Sequence, residues 1–169
     1  QAVGTILDDD DVSCRFIDDA ETGPGLWLAS GSGAGSDFTL VTTVANSPTH
    51  SWFVPGPAQV ADRRLTLAVP ISLAASTSPV LEFMHRYQLE NGYDGAVLEY
   101  STDGGTTWQD ILAGNGNGVP ANAGRFLAGG YVQLVSNGFS NALGGRQAWT
   151  GNAASFQSSQ VDLADFAGR

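Results

Sequence analysis

An all-β chain folded as an antiparallel sandwich is what this sequence predicts, on three observations. Short runs alternate apolar and polar residues with a period of two, turn residues recur between those runs, and no stretch long enough for a helix carries a 3.6-residue apolar period. The 22 glycines exceed the ordinary share of about 7% and mark tight turns in place of helices. With 169 residues and 42% hydrophobic content the chain holds one ordinary core. Residues 1–13 are expected as an acidic lead-in and residues 14–169 as a single domain.

The elements follow in order. QAVGTILDDDDVS carries four consecutive aspartates, which repel one another and resist burial, so it reads as a solvated approach to the domain. CRFIDDAETGPGLWLAS supplies a short apolar strand, an acidic cluster, a Gly-Pro-Gly turn and a second apolar pulse at Trp27. GSGAGSD is a loop, FTLVTTVA alternates as a strand, and NSPTHSWFVPGP is turn chemistry with aromatics attached. In RLTLAVPISL, Leu65, Leu67, Val69, Ile71 and Leu73 alternate strictly, with Pro70 breaking the run or placing it at an edge. VLEFMHRYQLE puts Leu81, Phe83, His85, Tyr87 and Leu89 on one face; AVLEYST sets Val97 and Glu99 opposite Leu98 and Tyr100. NAGRFLAGG is too rich in glycine for a stable helix, and GRQAWTG with FQSSQVDLADF supplies two last strands around a turn. The total is about eight or nine short strands, the pattern of a two-layer sandwich.

Charge and cysteine usage exclude several functions. Seventeen acidic residues face seven arginines and no lysine, a net charge of −10. Nucleic acid is therefore not an expected partner, because phosphate binding needs clustered cations, whereas metal cations are compatible. No apolar run reaches the roughly 18 residues of a membrane span, and the N-terminus lacks the basic start and apolar centre of a signal peptide. Cys14 stands alone, so neither an intrachain disulfide nor a cysteine-based zinc site is expected.

STDGGTTW, residues 101–108, fits the S-x-D-x-G-x-T-W "Asp box" known from sialidase-like propellers. Its physics is local: the Asp103 carboxylate accepts from turn N–H groups, Gly104 or Gly105 takes a positive φ, and Trp108 packs beneath, with Ser101 and Thr107 in support. The box is expected to be a structural hairpin, since the chain is too short for a propeller and its arginines are scattered.

The segments FIDDAETGPGLW, SPTHSWFVPG, LAVPISL, LEFMHRYQLENGYDGAVLEYSTDGGTTW, NALGGRQAWTG and VDLADFAG, in this order, resemble the MAM-like jelly-roll module of secreted bacterial proteins, including immune-inhibitor-A-type metalloproteases. That module is related to cleaved-adhesin and reelin-type repeats. The similarity spans residues 15–168. It implies a non-catalytic jelly roll on a secreted or cell-surface bacterial protein, attached to other domains and serving adhesion or substrate targeting. It also implies further strands after the ADFAG segment, so the sandwich is expected to lack its last strands or to take one from a partner segment.

The resemblance further implies a calcium site in which Glu21 matches the family's glutamate and Asp18 and Asp19 the acids before it. DDAETG offers three carboxylates at a strand end, as a hard cation requires. Asp37, ahead of FTL, and Asp94, in the YDG turn, are further candidates; the alternative is that these acids only cap solvated turns. His85 reads as a core histidine and His50 as part of a turn. With no HExxH and no G-x-S-x-G, zinc and serine hydrolases have no support. Glu82, Glu90 and Glu99 are the carboxylates from which a glycosidase pair would have to come. Trp52, Phe53, Tyr131, Phe139 and Trp149 are candidates for a sugar-stacking surface, the basis of a carbohydrate-binding alternative, or else close the ends of the sandwich.

Overall fold

Side-chain alternation over Val80–Gln88 produces the strand on which the rest is assembled. The structure, a computed structural model, describes residues 5–7 and 16–169. Its strands are β1 Thr5–Leu7, β2 Phe16–Ile17, β3 Trp27–Gly33, β4 Thr39–Val41, β5 Ser51–Phe53, β6 Ala61–Leu67, β7 Val80–Gln88, β8 Glu99–Tyr100, β9 Gln109–Asp110, β10 Phe126–Ala128, β11 Gln133–Leu134, β12 Gln147–Ala148 and β13 Asn152–Asp162. Two single 3₁₀ turns, Pro24–Leu26 and Ala164–Phe166, are the helical content of the described residues. The chain is all-β, as its alternation predicts, and its strand pairs are antiparallel.

The main sheet has the order β10-β13-β7-β1-β2. β13 runs the length of β7, from Asn152 opposite Gln88 to Asp162 opposite Val80, with an irregularity between Ala153 and Gln157. Leu81, Phe83 and Tyr87 from β7 face inward with Val161 from β13 and Phe126 from β10. Against them pack Tyr100 from β8, Leu98 just before it, Ile111, Tyr131 and Trp149. A bridge between Ala96 and Trp149 joins this second layer to the β11–β12 pair. The N-terminal half adds two pairs of its own, β3–β6 and β4–β5.

Trp149 is the centre of the core. Its ring lies 4.8 Å from His85, 4.8 Å from Tyr131, 5.5 Å from Phe126 and 5.7 Å from Phe83, all at steep interplanar angles. Edge-to-face pairs of this kind add about 0.5–1.5 kcal/mol each beyond burial. Its Nε1–H donates to the Gly129 carbonyl over 2.9 Å, and the Ser159 hydroxyl donates to the same oxygen over 2.6 Å. Gly129 has φ 61°, and a Cβ there would lie 2.2 Å from the Ser158 carbonyl oxygen, so only glycine admits this approach.

Arg125 is fully buried. It donates to the carbonyls of Ile111 and, over 2.9 Å, Pro120, meets Asp165 at 2.7 Å, and lies 5.0 Å above the Phe166 ring. The guanidinium thereby ties the segment after β9 to the closing 3₁₀ turn. Residues 168–169 dock on Leu73: the Leu73 N–H donates to Arg169 over 2.6 Å and Gly168 N–H to Leu73 over 2.8 Å.

Several expectations change: the described residues form thirteen strands where about eight or nine were expected, β3 takes in Gly31–Gly33 of the expected loop, and β5 lies within the expected turn segment. β6 ends at Leu67, and Val69 is exposed, because Pro70 offers no N–H to continue a ladder; Ile71 and Leu73 still enter the core from a turn. FTLVTTVA contributes only Thr39–Val41. Thr5–Leu7, inside the expected lead-in, is a strand between β7 and β2, while the aspartate run that follows lies outside the described residues. Among the described residues no helix is long and apolar enough to cross a membrane.

Replacing Trp149 with Ala removes the ring against which Phe83, His85, Phe126 and Tyr131 pack, and urea denaturation is expected to register a loss of about 3–5 kcal/mol. Val69→Ala, at an exposed position, is expected to stay within about 0.5 kcal/mol of the parent chain.

Candidate functional site

The acidic turn after β2 is wired into the fold. Asp18 is buried; its carboxylate accepts the Ala20 N–H over 3.0 Å and the Trp27 indole N–H over 2.5 Å. Asp19 accepts the Glu21 N–H over 3.0 Å, an Asx turn, and its carbonyl lies 2.7 Å from the Ser47 hydroxyl. Glu21 reaches across to residues 47–50. It accepts the N–H of Thr49 at 2.9 Å and of His50 at 2.8 Å, the Thr49 hydroxyl, and lies 2.9 Å from His50 Nδ1. The Thr49 hydroxyl and then His50 hold the Glu21 carboxyl below the usual carboxylate range.

The glycine-rich loop contains its own cation. Arg63 from β6 bends back so that its guanidinium donates to the carbonyls of Ser32 (2.5 Å), Gly33 (3.2 Å), Ala34, Gly35 (3.0 Å) and Ser36 (3.1 Å). Asp37 completes the wrap, 3.5 Å from Arg63 Nε. Asp94 is an exposed turn residue with Oδ2 3.5 Å from the Glu90 N–H.

Calcium takes six to eight oxygens around one point. Among the described residues no three acidic, histidine or cysteine side chains come together in that way. Asp18 and Glu21 already accept from N–H and O–H donors, and Asp37 answers Arg63. This donor set does not fit the ion.

The Asp box has the geometry its spacing predicts, in the β8–β9 connection. Asp103 accepts the Thr107 N–H (2.9 Å), the Thr107 hydroxyl (2.6 Å) and the Ser101 hydroxyl (2.7 Å). Gly104 and Gly105 have φ 71° and 87°, the Gly105 N–H donates to Ser101, and Trp108 Nε1–H closes on the Gly105 carbonyl at 3.1 Å. Led by the Thr107 hydroxyl, these donors hold the Asp103 carboxyl down at about 2. Both carboxylate oxygens of Asp103 accept hydrogen bonds from within the turn.

Of the five candidate aromatics, Trp52, Tyr131 and Trp149 are interior, a correction, while Phe53 and Phe139 are exposed. Trp149 fills the core. The Tyr131 hydroxyl sits between Leu98 N–H (2.9 Å) and Leu98 O (3.1 Å), and burial pushes its titration upward. Trp52 is buried with its indole N–H unpartnered, beside a shallow apolar recess of about 370 Å³ shared with Trp27, Phe38 and Leu40. The alternation around these residues marks a strand without saying which face is inside.

Phe139, one of those candidates, faces outward and pairs with Tyr93, which the spacing does not single out. Phe139 is 79% exposed and Tyr93 43%, their centroids 5.6 Å apart in an edge arrangement. The Asn141 amide donates to the Tyr93 carbonyl, and the Ser136 N–H donates to Gly92 over 2.8 Å, so the two loops are locked together. Phe139 and Ser140 have φ 61° and 57°, which costs an L-residue roughly 1–2 kcal/mol each. The available signal was an aromatic set among turn residues, SNGFSN.

Glu99 and Asp110 face each other across β8–β9, and Arg146 reaches both at 2.7 Å. Glu82 accepts the Ser158 hydroxyl at 2.8 Å. Among the described residues Glu21, Asp103 and Asp165 are held below the usual carboxylate range by their hydrogen-bond donors. His85 lies 2.9 Å from Ser159, whose proton goes to Gly129, so the histidine is the donor through Nε2–H.

Burial holds the His85 imidazole down at about 4, against 6.5 for the free group. The unfolded chain therefore binds the extra proton first, and this contribution to stability is complete above about 6.5 and lost as pH falls toward 4. Thermal midpoints across that window are expected to fall more steeply for the parent chain than for His85→Gln. Known protein families, curated proteins and solved structures, compared with this chain, return no match.

Proposed function

We propose that this chain is a non-catalytic β-sandwich accessory module of a secreted, multidomain bacterial protein, of the MAM-like kind its sequence resembles, serving adhesion or substrate targeting. One observation carries the reading. The polar groups that would do chemistry are turned to the fold's own donors and acceptors: Glu21 to Thr49 and His50, Asp103 to Thr107, Glu99 and Asp110 to Arg146. What the surface offers instead is aromatic area on rigid loops, a means of attachment. The net charge of −10 disfavours nucleic acid and anionic lipid as targets.

The test is a paired assay on the purified chain. Retention on intact bacterial cells or insoluble polysaccharide is expected, with no release of product from chromogenic glycosides or sialosides. Turnover that disappears in Glu99→Gln or Asp110→Asn contradicts the reading and favours an enzyme.

A further inference from the structure

We infer that the Tyr93–Phe139 pair is a binding platform for a neutral polysaccharide, with the exposed Phe139 ring supporting the C–H face of a sugar, Tyr93 bracing that ring at a steep angle, and the loop side chains meeting the sugar's hydroxyls. The inference rests on the accessory-module reading and names its ligand class. Exposed aromatic area in a soluble protein is normally scattered; here two rings meet at 5.6 Å at the meeting of two loops, Phe139 almost wholly in solvent. Phe139 is held outward by a backbone that disfavours it, with positive φ at two consecutive non-glycine residues. Strain of this kind persists where the surroundings over-determine it, and it collects at ligand sites. The fixing bonds are Asn141 to the Tyr93 carbonyl, Gly92 to Ser136, and the Asn141 carboxamide oxygen to the Leu143 N–H over 2.8 Å.

The ligand class follows from what surrounds the rings. Asn137 and Ser140 flank Phe139 and are exposed, and amides and hydroxyls are the groups that exchange hydrogen bonds with sugar hydroxyls. Charge argues for a neutral chain: Glu90 and Asp94 lie in the Tyr93 turn and are exposed, while Arg146, seven residues after Phe139, is occupied by Glu99 and Asp110. Acidic glycans and phosphates would meet repulsion there. Stacking on a π-face needs no charge on the ligand.

Affinity electrophoresis of the whole chain in gels containing mixed-linkage β-glucan, arabinoxylan or galactomannan, with dextran sulfate as the acidic comparison, tests this. The parent chain is expected to be retarded by at least one neutral polymer and not by dextran sulfate. Phe139→Gly and Tyr93→Ala are each expected to weaken retardation by about tenfold or more. Phe139→Gly is also expected to melt no lower than the parent, because glycine suits the positive φ, which separates loss of binding from loss of fold. Retardation that survives both substitutions overturns the platform while leaving the module reading intact. Absence of retardation in every neutral gel also overturns it, and the cell-retention assay then judges the module reading separately. A dimer of the parent chain that Phe139→Gly dissociates assigns the rings to a second copy and overturns the inference as well.

Discussion

Short strands leave main-chain carbonyls without ladder partners, and this fold depends on side-chain N–H groups that reach them. β8, β9, β11 and β12 are two residues long, and long loops run between them. A buried carbonyl left unpaired costs free energy comparable to a lost hydrogen bond. Trp149 answers Gly129 and Arg125 answers Ile111 and Pro120 in or near the interior, and Arg63 gathers five successive carbonyls of an exposed loop. All are donor-only groups, and two are planar forks able to serve several oxygens at once. The absence of lysine from the sequence fits this use of cationic side chains.

That constraint also explains the fate of the acids. A turn-rich chain has many unpaired N–H groups, and a carboxylate is the strongest acceptor for them. Asp18, Asp19, Glu21 and Asp103 each take at least one, and Glu21 takes two from a segment 28 and 29 residues away. A run of acids at a strand end therefore has two physical readings from sequence, a cation site or a set of turn caps, and here the described donors follow the second. Tyr93 and Phe139, by contrast, stay at the surface and contribute little to the core.

Much of the fold was legible because alternation is local. Leu81, Phe83, His85 and Tyr87 declare the inner face of β7 by spacing alone, and STDGGTTW specifies its own turn down to which residue caps which N–H. The rest was hidden because its causes are long-range. Nothing adjacent to Arg125 announces that Ile111, Pro120 and Asp165 will surround it, and Arg63 lies about 30 residues from the loop it organises. Tryptophan is equally at home in a core and on a ligand face, so Trp52 and Trp149 gave no sign of which they were. Pro70 did give its sign, and the end of β6 at Leu67 follows from it.

The dependence on forked donors is tested most directly at Arg125, by urea denaturation of Arg125→Lys beside Arg125→Met. Lysine keeps the charge and the ion pair with Asp165 but has no planar fork to serve Ile111, Pro120 and Asp165 together. The expected result is a loss of about 3 kcal/mol or more in the lysine variant, because the Ile111 and Pro120 carbonyls both lose their guanidinium donor at about 1–3 kcal/mol each. A lysine variant within about 0.5 kcal/mol of the parent chain would mean that charge alone sustains this region, and would contradict the account.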